Sequence, residues 1–384
     1  MGSPPIEEDR SLVGRVLRVT FVITNLDSGG AERVISIMAN HWAQAGWPVT
    51  LLTFDEASAP PFYDLDSRIR LVPLGIYRAS SNPAAAVASN LKRIKALRRA
   101  IRDSEPDVVI SFLTFVNSLV LLATRGLGVP VVVSERNEPQ MDPIGPAWKW
   151  LRRCTYSFAT RLVTQTERGR ESFPPAIQAR TTVIPNPVPR FQPVDRATPS
   201  FTLARPALVS MGSFHPKKGF DLLLRAFARL KDRHPDWMLT IIGDGPLRTQ
   251  IESLRDALGL KDRVHLPGRV KTPNHVLMQA DLFVLSSRWE GWPMALAEAM
   301  ACGLPVIATD CRTGPREMIH HGVDGLLVPP EDVDALEDAM DSLMADESKR
   351  KQLASRAVEV AERFEPHKVM GMWEELLRRE LHEG

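Results

Sequence analysis

The sequence predicts an α/β protein of two domains, each a parallel sheet covered by helices, and three observations predict it. At 384 residues the chain exceeds one ordinary core and divides naturally into two units of roughly 150–200 residues. Short β-branched runs alternate with stretches of helical periodicity, the pattern of a parallel sheet buried on both faces. The alternation is interrupted by the proline-rich Ile184-Pro185-Asn186-Pro187-Val188-Pro189, which reads as an interdomain linker, and then restarts.

In chain order, Val16 to Asn25 reads as a strand and Asp27-Ser28-Gly29-Gly30 as a tight loop. From Ala31 the residues Val34, Ile35, Met38, Trp42 and Ala45 recur at helical spacing until Gly46. Further strands are expected at Val49 to Phe54, Val108 to Phe112, Val129 to Ser134 and Arg161 to Gln165. Beyond the linker the series is Ala207 to Met211 (strand), Gly219 to Arg233 (helix), Met238 to Ile242 (strand) and Pro246 to Leu258 (helix). Strands at Leu282 to Ser286 and Pro305 to Thr309 continue it. This layout is two Rossmann-like domains in tandem, residues 1–190 and 191–366. A last helix, His367 to Leu381, follows a break at Pro366, and 367–384 is expected to pack back on the first domain.

Charged residues at 24% and hydrophobic ones at 44% are the composition of a globular chain. Residues 1–190 hold 23 Lys and Arg against 17 Asp and Glu, a net of +6, and the remainder a net of −4. The basic half alone is therefore suited to an anionic surface or substrate, and no nucleic-acid partner is expected. Cys154, Cys302 and Cys311 are scattered, which excludes a disulfide framework or structural zinc and fits a reducing cytoplasm. Residues 11–24 are apolar but interrupted by Arg15 and Arg18, and read as a strand rather than a signal peptide. The longest uncharged apolar run, Ser111 to Thr124, is too short for a spanning helix, which needs about 18 residues. Lys92, Arg93, Lys95, Arg98, Arg99 and Arg102, with Trp148, Lys149, Trp150, Arg152 and Arg153, mix cations and aromatics as peripheral bilayer surfaces do. The alternative is a solvated basic face.

Two segments carry candidate chemistry. The Gly29-Gly30 pair after the first strand lets backbone N–H groups approach a phosphate at a helix N-terminus, unless it is an ordinary turn. No full G-x-G-x-x-G is present, and Asp55 at the second strand's end keeps a dehydrogenase reading only as an alternative. The second segment is Ser286 to Val306, SSRWEGWPMALAEAMACGLPV. Pro293 suits the first turn of a helix, so Glu290 and Gly291 fall in the loop at a strand's carboxyl end and Glu298 in the second helical turn. A carboxylate there suits a vicinal diol, which offers two O–H donors; the alternative is two solvated surface charges.

Glu290 to Glu298 resembles the E-x7-E motif of retaining glycosyltransferase family 4, of the GT-B fold. Gly29-Gly30-Ala31-Glu32-Arg33-Val34 resembles that family's N-terminal phosphate loop, and Ile184 to Val188 its linker. Lys218-Gly219-Phe220 is similar to its diphosphate-binding segment. Ile242-Gly243-Asp244-Gly245-Pro246 and Gly268-Arg269-Val270 are similar to its nucleotide loops. Thr313-Gly314-Pro315-Arg316-Glu317 resembles the branch that builds bacterial exopolysaccharide, lipopolysaccharide or lipid-linked oligosaccharide.

The resemblance implies that Glu298 binds the ribose of a nucleotide sugar and Glu290 the hydroxyls of the transferred sugar. It implies that Gly291, Trp292, Pro293 and Met294 hold sugar and phosphate oxygens, and that Lys218, with Gly29 and Gly30 opposite, neutralises the leaving diphosphate. Gly243, Asp244, Gly268, Arg269 and Val270 would complete the donor site, with no obligatory metal or cofactor. The expected donor is a UDP-hexose or UDP-N-acetylhexosamine, with GDP-mannose as runner-up. The expected acceptor is lipid-linked or a glycan, met on the inner face of a cytoplasmic membrane.

Two departures stand out. Ser213 occupies a position where the family usually carries arginine, leaving Lys217 or Arg288 to compensate. The N-terminal histidine of many members is missing, and Asn117, Glu135 and Arg136 are the polar groups left there. Asp64-Leu65-Asp66 and Asp332-Val333-Asp334 match the D-x-D of metal-dependent transferases of another fold, but the second pair opens a predicted helix, where acids favour the dipole. A retaining glycosidase would need carboxylates about 5–5.5 Å apart, whereas eight helical residues separate backbone positions by about 12 Å.

Overall fold

The structure, a computed structural model, describes residues 16–56, 60–77, 83–141, 144–191 and 201–382. Residues 11–15 of the apolar opening and 192–200 beyond the linker lie outside the described residues. The first sheet contains β1 (Val19–Ile23), β2 (Val49–Thr53), β3 (Arg70–Pro73), β4 (Val108–Phe112), β5 (Val131–Ser134), β6 (Arg161–Thr164) and β7 (Thr181–Val183). Its order is β3-β2-β1-β4-β5-β6-β7, all parallel. The second contains β8 (Ala207–Met211), β9 (Met238–Ile242), β10 (Val264–Gly268), β11 (Leu282–Leu285), β12 (Val306–Thr309) and β13 (Leu326–Val328). Its order is β10-β9-β8-β11-β12-β13, also parallel. Each order reverses once, at β1/β4 and at β8/β11, and open sheets bind ligands beyond the strand ends at such reversals.

The strands form because their residues are buried on both faces: all five side chains of β1 and of β4 are buried. Helix α1 (Gly30–Gln44) lays Val34, Ile35, Met38 and Trp42 on the first sheet. Trp42 stacks on Phe21 and on Trp47, at ring separations of 5.5 and 5.2 Å. Side chains of this size contribute roughly 1.5–3 kcal/mol each when fully buried. Gly46 takes φ +85° just past the helix, a conformation that ends it without a Cβ clash. The final helix starts at Pro366 itself and runs to His382. It meets the first sheet's layer through Glu374, which accepts from Trp42 Nε1 at 3.3 Å, and Glu380, which accepts from Arg161 Nε at 2.5 Å.

Ser111 to Thr124 becomes the end of β4, a turn and helix α3 (Thr114–Ala123), which packs against α2 (Pro83–Asp103) and α4 (Pro146–Thr155). No described helix is long and apolar enough to cross a membrane. The basic cluster of α2 does not form one free face. Arg93 is buried, donates to the Ile76 carbonyl at 3.1 Å and lies over Phe115, while Arg98 donates to the carbonyls of Ala123 and Arg125. Lys92, Lys95, Arg99 and Arg102 remain exposed. On α4, Trp148 packs edge-on to Phe115, and Arg152 donates to the Pro139 carbonyl and lies over Phe173. Trp150 is 66% exposed.

Candidate active site

Both strand-order reversals open onto one cleft of about 320 Å³ between the sheets. From the first sheet its walls take the loop after β1 with the start of α1, and Leu113, Arg136, Gln165 and Asn186 beyond β4, β5, β6 and β7. From the second they take Gly212 and Ser213 after β8, Gly243 and Asp244 after β9, Arg269 and Val270 after β10, and Glu290, Trp292, Pro293, Met294, Ala295 and Glu298 after β11.

Glu290 is the most strongly held carboxylate of this wall. It is 3% exposed, and its Oε1 accepts from Lys218 Nζ at 2.6 Å and Ser287 Oγ at 2.7 Å. Lys217 Nζ stands 3.3 Å from Oε2 and 3.4 Å from Asn137 Oδ1 of the opposite wall. Burial alone would favour the protonated acid, but the two ammoniums win and hold the Glu290 carboxyl at about 2. Lys218 reaches it because Gly219, at φ +61°, turns the chain where any Cβ would collide with the Ser286 carbonyl.

Glu298, on the helix Met294–Ala301, is 5% exposed. Its Oε1 accepts from Nε of Arg33, on α1 across the cleft, at 3.1 Å. Burial pushes its carboxyl above the ordinary range, and Arg33 opposes that shift. Arg269 pairs with Asp27 and Lys271 with Asp64, each across the cleft.

Gly29 is the N-cap of α1 and supplies no side-chain cap. Glu32, three residues on, folds its carboxyl back onto Gly29, where any added Cβ would collide with it. Burial raises that carboxyl to about 7, with nearby Asp27 adding to the shift.

The floor on the first sheet resolves the three polar candidates there. Glu135 accepts from Tyr156 Oη and from Thr114 Oγ1, and Asn117 donates to the Ser134 carbonyl and to Tyr156 Oη. Both are fully engaged below the cleft, and neither lines it. Arg136 does line it. Its guanidinium lies 3.7 Å over the Phe112 ring, and Nη1 donates to Asn186 Oδ1 at 2.6 Å. Nε and Nη2 have no hydrogen-bond partner among the described residues, and burial lowers the group to about 9. Leu113 beside it takes φ +77°, ψ 139°, a conformation that costs a non-glycine residue on the order of 1–3 kcal/mol and gathers at functional sites.

Of the residues singled out from sequence, the cleft gathers Gly29, Gly30, Ser213, Lys217, Lys218, Gly243, Asp244, Arg269, Val270, Glu290, Trp292, Pro293, Met294 and Glu298. Three of the donor-site candidates fall elsewhere. Arg288 cannot replace the missing arginine at Ser213: its fork holds both Asp221 oxygens, at 2.9 and 2.7 Å, and it also reaches Glu331 and the Pro216 carbonyl. Gly268 ends β10 behind the wall, its carbonyl accepting from Gly243 N–H. Gly291 packs against the Arg136 backbone and lines a smaller recess. Asp55 does not line the cleft, and its carbonyl accepts from Gly75 N–H. The D-x-D acids are engaged too: Asp64 with Lys271, Asp66 with Arg68, and Asp332 as a helix cap accepting from Ala335 N–H. Sequence reasoning missed Arg33, Phe62, Tyr63 and Asn186 as cleft residues, because their partners lie on distant segments of chain.

Two facing parallel sheets, with a cleft of fixed cations and carboxylates at their strand ends, define a GT-B-type transferase. The Glycosyl transferase 4-like domain family matches residues 29–187, and the Glycosyl transferases group 1 family matches residues 192–360. The chain belongs to the group 1 glycosyl transferases, glycosyltransferase family 4, and is a glycosyltransferase. It is similar to an exopolysaccharide phosphotransferase of Streptomyces coelicolor, 29% identical over 94% of this chain, which spans only 40% of that protein's length. It is also similar to the Campylobacter jejuni GalNAc-alpha-(1->4)-GalNAc-alpha-(1->3)-diNAcBac-PP-undecaprenol alpha-1,4-N-acetyl-D-galactosaminyltransferase, 29% identical over 94% of this chain and 98% of the relative. Among solved structures, Anabaena HepE in complex with UDP and glucose superimposes with a TM-score of 0.76 at 19% identity. The match covers 94% of this chain and 99% of that one.

Proposed function

We propose that the protein is a retaining transferase that moves a hexose or N-acetylhexosamine from a UDP-sugar to a lipid-linked or polysaccharide acceptor. One observation carries the reading: a single wall presents two buried carboxylates, Glu290 gripped by two lysines and Glu298 gripped by an arginine from the facing wall. The two carboxylates are two handholds on one long donor. Glu298 takes the ribose diol and Glu290 the sugar hydroxyls, with the lysines beside the diphosphate. When the glycosidic C–O bond breaks, its electron pair stays on the diphosphate, and fixed cations and N–H dipoles stabilise the charge that develops there. Residues 191–366 bind the donor, and residues 1–190 with 367–384 receive the acceptor. The solved HepE complex with UDP and the Campylobacter enzyme's undecaprenol-linked substrate support both halves.

The test is a panel of UDP-glucose, UDP-N-acetylgalactosamine, GDP-mannose and NAD, scored for binding and for hydrolysis or transfer. UDP-sugars should bind and turn over. A preference for GDP-mannose would replace the base and sugar while keeping the class; binding of NAD alone would overturn the reading.

The acceptor is expected at an anionic membrane surface. Lys92, Lys95, Arg99, Arg102, Lys149 and Arg153 are exposed, as are Val87, Leu91 and Trp150, all on two helices that pack on α3. Apolar side chains among cations suit a bilayer interface.

A further inference from the structure

Five cations line the cleft: Arg33, Arg136, Lys217, Lys218 and Arg269. Four pair with carboxylates, and only Arg33 reaches across to the carboxylate proposed for the ribose. Arg33 lies at the start of α1, on the first sheet's side, and Glu298 on the helix after β11, on the second. The bond from Nε to Oε1 is 3.1 Å, with the Arg33 side chain 27% exposed and that of Glu298 7% exposed. Tyr63 supports the arginine from beneath, its ring centroid 5.0 Å from the guanidinium carbon. Oε2 of Glu298 has no partner among the described residues.

We infer that Arg33 is a positioning residue for the donor, holding Glu298 ionised and oriented so that its other oxygen accepts from the ribose hydroxyls. This rests on the ribose role proposed for Glu298. An ionised carboxylate only accepts hydrogen bonds, whereas a protonated one turns one oxygen into a donor and loses part of its grip on a diol. At 5% exposure, desolvation favours the protonated form, and a nearby cation is what opposes it.

The groups facing Glu298 are few. Tyr63 and, one turn along its own helix, Cys302 both interact with its charge, and burial pushes both far above their ordinary values. Neither changes charge near neutral pH; Glu32, beside Arg33 and also acting on Tyr63, is raised to about 7 and does, in the parent as in each variant, and Arg33 is the charge that opposes burial at Glu298 itself. Because Arg33 belongs to the other wall, the ribose site is complete only when the two walls meet.

The test compares Arg33→Gln, Arg33→Lys and Glu298→Gln by donor kinetics and UDP titration between pH 6 and 8. Arg33→Gln should raise donor KM and weaken UDP about tenfold, the scale of one charge-assisted hydrogen bond. Its kcat should change little. Its KM should also worsen as pH falls, because Glu298 without its cation takes up a proton at higher pH than in the parent. Arg33→Lys should restore much of the affinity and flatten the pH dependence. Added to Glu298→Gln, Arg33→Gln should cost nothing further, since the carboxylate it serves is gone. If Glu298→Gln weakens UDP while Arg33→Gln leaves KM and its pH profile at parent values, the positioning role is wrong and the ribose reading stands. If Glu298→Gln leaves UDP affinity intact, the ribose reading fails and takes this inference with it.

Discussion

Lys218 places its ammonium 2.6 Å from Oε1 of Glu290, and Lys217 stands 3.3 Å from the other oxygen. The residue proposed to meet the diphosphate and the residue proposed to meet the sugar are therefore one charged unit. A diphosphate bound beside it shares the lysines with Glu290, and the positive charge is already in place when the bond breaks.

Lys218→Ala should lower kcat/KM by roughly 10²–10³, the effect of removing one preorganised donor, about 2.7–4 kcal/mol. Steady-state kinetics with a saturating acceptor checks it. Full activity in this variant would move the diphosphate to Lys217, since Arg288 is committed to Asp221.

Glu290 also has a stability signature. Its carboxyl is held at about 2, below the 4.5 of the free group, by the two lysines that outweigh burial. A depressed acid contributes stability that is present above its unfolded pKa and lost as pH falls through the folded one. Glu290→Gln should therefore be destabilising near neutral pH, and its deficit against the parent should shrink between about pH 4.5 and 2. Denaturant unfolding across that range measures it.

Glu32 has the opposite sign. Burial raises its carboxyl from 4.5 to about 7, so the folded state binds the extra proton and stability falls as pH rises through that window. Glu32→Gln should remove this slope and be relatively more stable at pH 8 than at pH 5. An unchanged slope would show that the carboxyl ionises freely.

Arg136 carries a buried charge with no ion-pair partner among the described residues. Replacing such a group by an apolar side chain of similar length removes its desolvation cost, as replacing whole buried ion pairs by apolar residues is often stabilising. Arg136→Met should raise the melting temperature. A fall would mean that stacking on Phe112 and the bond to Asn186 outweigh that cost.

Co-sedimentation with anionic and neutral vesicles tests the membrane face. Binding should prefer anionic lipid, weaken with salt and fall when Lys92, Lys95 and Arg99 are replaced by Gln. Equal binding to both lipids would leave these residues a solvated basic face.

The fold was legible in the sequence to a physical limit. Every strand read from the sequence is an interior strand, and the four it missed, β3, β7, β10 and β13, are the four sheet edges. An interior strand is buried on both faces and reads as a β-branched run. An edge such as Arg70–Pro73 is short and only partly buried, and carries no such run. The site divides similarly. Glu290 and Glu298 are eight residues apart on one loop and helix, so their relation is local and readable. Arg33 and Glu298 are 265 residues apart, and only the folded cleft pairs them. Arg288 misled for the same reason: beside Glu290 in sequence, it turns to Asp221, a partner no local pattern announces.

If the two glutamates touch different parts of one nucleotide sugar, UDP affinity measured beside donor kinetics for each variant separates them. Glu298→Gln should weaken UDP and raise donor KM, because the ribose is held in ground and transition states alike. Glu290→Gln should leave UDP affinity near the parent value, since UDP has no transferred sugar, and should lower kcat. A larger loss of UDP affinity in Glu290→Gln than in Glu298→Gln would contradict the assignment.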